Sequence, residues 1–177
     1  KVLKRSKGIV VWDFDRVLFD TEKFYRGAVK IFKKFGVPPK ALWSAVLKIR
    51  KDGDHFSVAL VLRILRGRGY LVPEKKVREE IHKHLRDTKY FPQSTDTLLH
   101  RLRKRGILHI ILSHSTPAYL HKKVKVGCGE RFLRHFVKVY ATGTPKHIFL
   151  KKLSRRFQLP VFFVVDTDKH VGLVKEH

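Results

Sequence analysis

The hydrophobic positions fall into two alternating kinds of pattern along the chain. Short unbroken apolar runs, Ile9–Trp12, Ile107–Leu112, Phe136–Tyr140 and Val161–Val165, read as strands buried on both faces, as in a parallel sheet. Between the first two lies a long stretch with helical spacing. Phe24, Tyr25, Ala28, Val29, Phe32 and Phe35 define one helix, which Gly36 and the Pro38–Pro39 pair bring to an end. Leu42–Ile49, Phe56–Leu65 and Val77–Leu85 predict three more, punctuated by Gly53, Gly67, Gly69 and Pro73. After Phe91–Pro92 helices and strands alternate. Ser94 or Thr95 is the expected cap of a helix with core positions Leu98, Leu99 and Leu102, closed by Gly106. A helical stretch near Tyr119–Val124 precedes the third strand, and Thr144 is the expected cap of a helix with Pro145 in its first position. The pattern predicts an α/β protein: a Rossmann-like parallel sheet formed by residues 1–20 and 91–177, with an inserted α-helical domain at 21–90.

Polar residues at the strand ends add candidate chemistry. The first strand runs into Asp13-Phe14-Asp15, and the last into Asp166-Thr167-Asp168. Carboxyl ends of strands are where open α/β sheets bind ligands. Two neighbouring carboxylates repel unless a cation lies between them or one holds a proton. A divalent cation with oxygen ligands, magnesium foremost, relieves the repulsion. The pair therefore binds a metal, exchanges protons, or does both. Lys146 stands in the first turn of its helix, where an ammonium opposes the helix dipole and so is expected to bring another benefit. The same helix end attracts anions.

Asp13-Phe14-Asp15-Arg16-Val17-Leu18-Phe19-Asp20, behind its apolar strand, resembles the first motif (Asp-x-Asp-x-Thr/Val) of the haloacid dehalogenase (HAD) superfamily. Ser113 at the second strand end resembles motif two, Lys146 motif three, and Asp166 the first acid of motif four. The resemblance covers nearly the whole chain, with the helical insertion matching in placement and helicity only. It implies a phosphatase-type hydrolase with a helical cap after motif one. Asp13 would be the nucleophile, Asp15 the acid and base, and Ser113 and Lys146 would hold the phosphoryl group. Magnesium would be bound through Asp13, Asp15 and Asp166. His114 and Arg16 adjoin these positions and join Ser113 as substrate-binding candidates; His114 also fits a surface histidine. Three departures stand out. Arg16 occupies a position usually held by Gly, where it faces a strained turn, a substrate phosphate or the metal's own place. Val165 replaces a customary Gly and His170 a second Asp, so that either Asp168 takes over as the second acid or that metal-orienting contact is absent. Asp20 is expected to cap the first inserted helix, with Glu22 in its first turn.

Composition narrows the partners. The 177 residues include 40 Lys and Arg against 15 Asp and Glu, a formal net charge of +25. The excess runs through both parts, yet Asp13, Asp15, Asp20, Asp166 and Asp168 cluster at two strand ends. Such a charge favours phosphorylated substrates, nucleotides, nucleic acid or an anionic membrane surface. A basic nucleic-acid-binding protein on a catalytically degenerate HAD scaffold is therefore the alternative to a phosphatase. Cys128 is the one cysteine, so no internal disulfide forms, consistent with a cytoplasmic location. No apolar run reaches transmembrane length, and the basic segment Lys1–Lys7 precedes too short a run for a signal peptide. The end at His177, inside an expected helix, fits a truncated chain or a small sheet. His82 and His84 do not share a helix face, so they imply no metal site. Trp12 and Trp43 are assigned to packing.

Overall fold

The computed structural model describes residues 6–52 and 56–166. Gly53, Asp168 and His170 lie outside them. The elements run β1 (Gly8–Asp13), α1 (Thr21–Lys34), α2 (Pro39–Lys51), α3 (Val58–Arg66), α4 (Glu74–Asp87), α5 (Gln93–Lys104), β2 (Ile107–Ser113), α6 (Pro117–Leu133), β3 (Phe136–Ala141), α7 (Lys146–Phe157) and β4 (Val161–Val164). The four strands form one parallel sheet in the order β3-β2-β1-β4. The chain thus steps outward from β1 to β3, then returns to the other side of β1. That reversal makes the carboxyl ends of β1 and its neighbours a topological switch point, where such sheets bind ligands.

Two compact units divide the chain, one comprising residues 1–20 and 90–177, the other Thr21–Lys89. In the sheet unit, Ile9, Val11, Leu108, Ile110 and Leu112 face Leu150 and Leu153 of α7, with Val161 and Phe163 completing the layer. On the opposite face His109 is fully buried: its Nδ1 accepts from Trp12 Nε1–H (3.2 Å), and its Nε2–H donates to the Leu99 carbonyl of α5 (3.0 Å). Both ring nitrogens being matched in this way requires a neutral imidazole.

In the helical unit each helix buries one stripe. Phe24, Ala28, Ile31 and Phe32 do so on α1, Leu42, Val46 and Ile49 on α2, Val61 and Leu65 on α3, and Val77, Ile81 and Leu85 on α4. Gly27 on α1 is required by close approach, since a Cβ there would stand 1.8 Å from His84 Nε2 on α4. Trp43 packs on Tyr25 but remains 37% exposed, so it is only partly a packing residue.

Three helix starts differ from the sequence expectation. Helix α5 begins at Gln93 with Pro92 as its cap residue, leaving Ser94 and Thr95 inside the first turn. Helix α7 begins at Lys146 with Pro145 as cap residue, because Thr144 is drawn into a local network with Thr142. In both cases proline's fixed φ sets the extended residue before the helix, overriding the hydroxyl preference. Helix α3 starts at Val58 because Ser57 Oγ accepts from Leu60 N–H (3.1 Å).

Candidate active site

Alternation along β1 puts Asp13 on the same face as Ile9 and Val11, the face covered by α7. Its side chain is only 8% exposed. Lys146, the first residue of α7, places its ammonium 2.5 Å from Asp13 Oδ2, and the Phe14 amide donates to Oδ1 at 2.8 Å. Burial pushes the Asp13 carboxyl above its ordinary value of 3.8; Lys146 and the Phe14 N–H oppose that rise, while the Asp15 charge adds to it. The sequence placed Lys146 at this helix start, and the ion pair is the other benefit that offsets its unfavourable position in the dipole.

The turn after β1 is tightly knit. Arg16 N–H donates to the Phe19 carbonyl, and the amides of Leu18 and Phe19 both donate to the Phe14 carbonyl. Phe14, Leu18 and Phe19 are buried, and Phe19 stacks between Phe14 (5.2 Å) and Tyr90 (4.6 Å). Arg16 adopts φ of 66°, the left-handed conformation that glycine would adopt without penalty. The guanidinium lies 3.7 Å from Asp166 Oδ2, an ion pair too long for a hydrogen bond.

Lys123 on α6 was not anticipated. Its side chain is 6% exposed, its Nζ bonds Asp15 Oδ1, and it sits 4.4 Å from the Phe19 ring centroid. An ammonium so enclosed is held by its carboxylate partner and by the negative faces of aromatic rings. The signal was present: Lys123 lies three residues after Leu120 and one before Val124, both buried, so it occupies the apolar face of its helix. Thr142 is the second omission. Its hydroxyl lies 2.8 Å from Thr144 Oγ1 and accepts from Thr144 N–H at 3.0 Å, ordering the loop that delivers Lys146.

The fold therefore brings together Asp13 with Lys146, Asp15 with Lys123, and Arg16 with Asp166. Ser113 joins them by register: it follows Leu112, which pairs with Asp13, and it is buried at the same sheet edge. His114 is exposed just beyond the strand end. Cys128 has its thiol pushed up to about 12 by burial, which makes it a poor nucleophile.

Among the described residues no group of three His, Cys, Asp or Glu side chains could hold a metal ion. A magnesium ion at this sheet edge would have to be held by the Asp13 and Asp166 carboxylates with the Asp15 main-chain carbonyl, as the resemblance implies. That donor set is all hard oxygen, which suits the ion. The Asp166 side chain is only 19% exposed, and its contact with Arg16 is long at 3.7 Å.

No protein-family profile matches the sequence, and no curated protein matches it. Solved structures do. A putative HAD-hydrolase from Bacillus subtilis bound to magnesium superposes with a TM-score of 0.60 at 12% identity, covering 96% of this chain and 84% of the other. A putative β-phosphoglucomutase from Thermotoga maritima gives 0.63 at 17%, covering 96% and 81%. The L-2-haloacid dehalogenase from Xanthobacter autotrophicus, with chloropropionic acid covalently bound, gives 0.63 at 16%, covering 97% and 74%. The chain has the fold of the HAD-superfamily hydrolases, the one its motifs resemble.

Proposed function

We propose that this protein is a magnesium-dependent phosphohydrolase that cleaves a small phosphate monoester through an aspartyl-phosphate on Asp13. The observation that carries the reading is the Asp13–Lys146 pair, buried at the carboxyl edge of β1 with the Asp15–Lys123 pair beside it. An Asp13 oxygen attacks phosphorus, the phosphorus–oxygen bond of the ester breaks, and the leaving oxygen takes its proton from Asp15. Asp15 then accepts a proton from the water that attacks the aspartyl-phosphate, releasing phosphate and regenerating Asp13. Lys123 orients the Asp15 carboxyl for both halves of the cycle. Lys146 and the Ser113 hydroxyl stabilise charge on the transferring group. Asp13, Asp166 and the Asp15 carbonyl would hold magnesium, which supplies a positive charge that offsets repulsion between carboxylate and phosphate.

The test is a panel of phosphate esters assayed with and without magnesium, followed by intact-mass measurement after acid quench. The expected result is magnesium-dependent turnover and a protein-bound phosphate that Asp13→Asn abolishes. Full activity in Asp13→Asn ends the reading. The net charge and the Arg16–Asp166 contact favour a second reading, a nucleic-acid-binding protein on a degenerate scaffold. It is distinguished by salt-sensitive oligonucleotide binding with no turnover on any ester.

A further inference from the structure

At the opposite, amino-terminal edge of the sheet unit, an open hollow of about 320 Å³ is lined by His100, Arg103, Lys104, Arg134 and His135. No carboxylate is among the described residues that line it. His100, Arg103 and Lys104 share one face of α5 at spacings of three and four residues, in and just before its last turn. Arg134 and His135 lie between α6 and β3. The Lys7 amide bonds the Gly106 carbonyl (2.9 Å), which brings a further exposed lysine to the same rim next to Arg105.

Part of this charge has a structural use. Both α5 and α6 end here, and the negative ends of their dipoles favour cations. Arg103 is used in this way, donating to the Arg134 carbonyl. Asp96 neutralises part of the rest, bonding His135 Nε2 at 2.7 Å and lying 3.5 Å from Arg131. Lys104 and Arg134 are not accounted for by these contacts: both side chains are exposed, and neither forms an ion pair among the described residues. Two cations without an ion pair among the described residues concentrate positive potential around one hollow, at a cost in mutual repulsion that an anion would remove.

We infer that this hollow is a phosphate-binding site for the backbone of a nucleic acid, separate from the site at the carboxyl edge of the sheet. The lining offers hydrogen-bond donors and charge but no Phe, Tyr or Trp ring as a broad platform for base stacking. Recognition is therefore through backbone phosphates and is independent of base sequence. Lys104 and Arg134 supply the two principal contacts. The inference does not rest on the phosphatase reading, because none of these residues belongs to the proposed catalytic set.

The experiment is fluorescence anisotropy of a labelled single-stranded oligodeoxythymidine across a salt series, using the full chain. Four proteins are compared: wild type, Lys104→Gln/Arg134→Gln, Lys75→Gln/Lys76→Gln, and Asp13→Asn. Lys75 and Lys76 are exposed on α4, so their loss removes the same charge elsewhere. The expected result is that Lys104→Gln/Arg134→Gln weakens binding roughly tenfold near 0.1 M salt and reduces the slope of log K against log salt by about 1.4. Lys75→Gln/Lys76→Gln and Asp13→Asn are expected to bind within about twofold of wild type, and circular dichroism checks that each variant is folded. An equal loss in Lys75→Gln/Lys76→Gln overturns the inference, since net charge alone would explain it. It is also overturned if wild type does not bind the oligonucleotide, if Asp13→Asn loses binding as strongly as Lys104→Gln/Arg134→Gln, or if phosphatidylserine vesicles depend on Lys104 and Arg134 while DNA does not.

Discussion

Replacing Lys146 with Met keeps the length and packing of the side chain and removes its charge, leaving the buried Asp13 carboxylate without its ammonium. At an effective dielectric near 20, unit charges at this separation attract by about 6–7 kcal/mol, much of which offsets desolvation of the pair. Removing one partner of such a pair costs about 3–5 kcal/mol. Asp13 can avoid part of that loss by taking a proton, and this makes the cost depend on pH. In the variant the folded-state carboxyl lies further above its ordinary 3.8 than it already does in the native protein. A raised carboxyl penalises the folded state at high pH and not below the unfolded value. Binding a proton at pH 5 costs no more than about 1.5 kcal/mol, against about 5.6 kcal/mol at pH 8, so protonation becomes the cheaper route in acid. The expected destabilisation of Lys146→Met is therefore about 3–5 kcal/mol near pH 8 and about 1.5 kcal/mol or less near pH 5. Urea unfolding in a Trp43→Phe background reads the sheet unit through Trp12, the neighbour of Asp13. A loss below about 1 kcal/mol at pH 8, or one that is equal at both pH values, refutes the reasoning. So does a double-mutant cycle with Asp13→Asn that shows no coupling.

Two further outcomes follow from the same structure. Asp15 is 39% exposed and Lys123 only 6%, so Asp15→Asn strands a buried ammonium whereas Lys123→Met leaves a carboxylate that water can reach. Asp15→Asn should cost more stability, by about 1–2 kcal/mol, in thermal or urea unfolding; the reverse order would remove Lys123 from its assigned place. Burial lowers the His109 pKa below its ordinary 6.5, so the unfolded chain takes up a proton that the folded chain refuses. This contribution is complete above about pH 6.5 and declines as pH falls towards the folded-state value. The wild-type urea midpoint should fall between pH 7.5 and 5.5, and the fall should be smaller in His109→Asn; an identical fall in both would contradict the buried neutral imidazole.

Much of the fold was legible because its signals are local. Unbroken apolar runs at Ile9–Trp12 and Ile107–Leu112 marked buried strands, since only burial on both faces permits such runs, and the spacing of Phe24, Ala28 and Phe32 marked a helix. The polar residues at the strand ends stood out against this background. Helix starts were the weaker part: Ser94, Thr95 and Thr144 had the right chemistry for caps, but the prolines at 92 and 145 fixed the backbone first.

What the sequence alone determined is which residues end strands and begin helices, because alternation and periodicity are properties of neighbouring positions. Which of them meet was decided by the tertiary structure. Asp13 and Lys146 are joined because α7 covers the face to which β1 turns its odd-numbered residues. Lys123 meets Asp15 across 108 positions of chain, and Arg16 meets Asp166 because β4 lies beside β1. A contact between distant residues depends on how elements pack, and packing is settled by the whole buried surface rather than by any one segment's pattern.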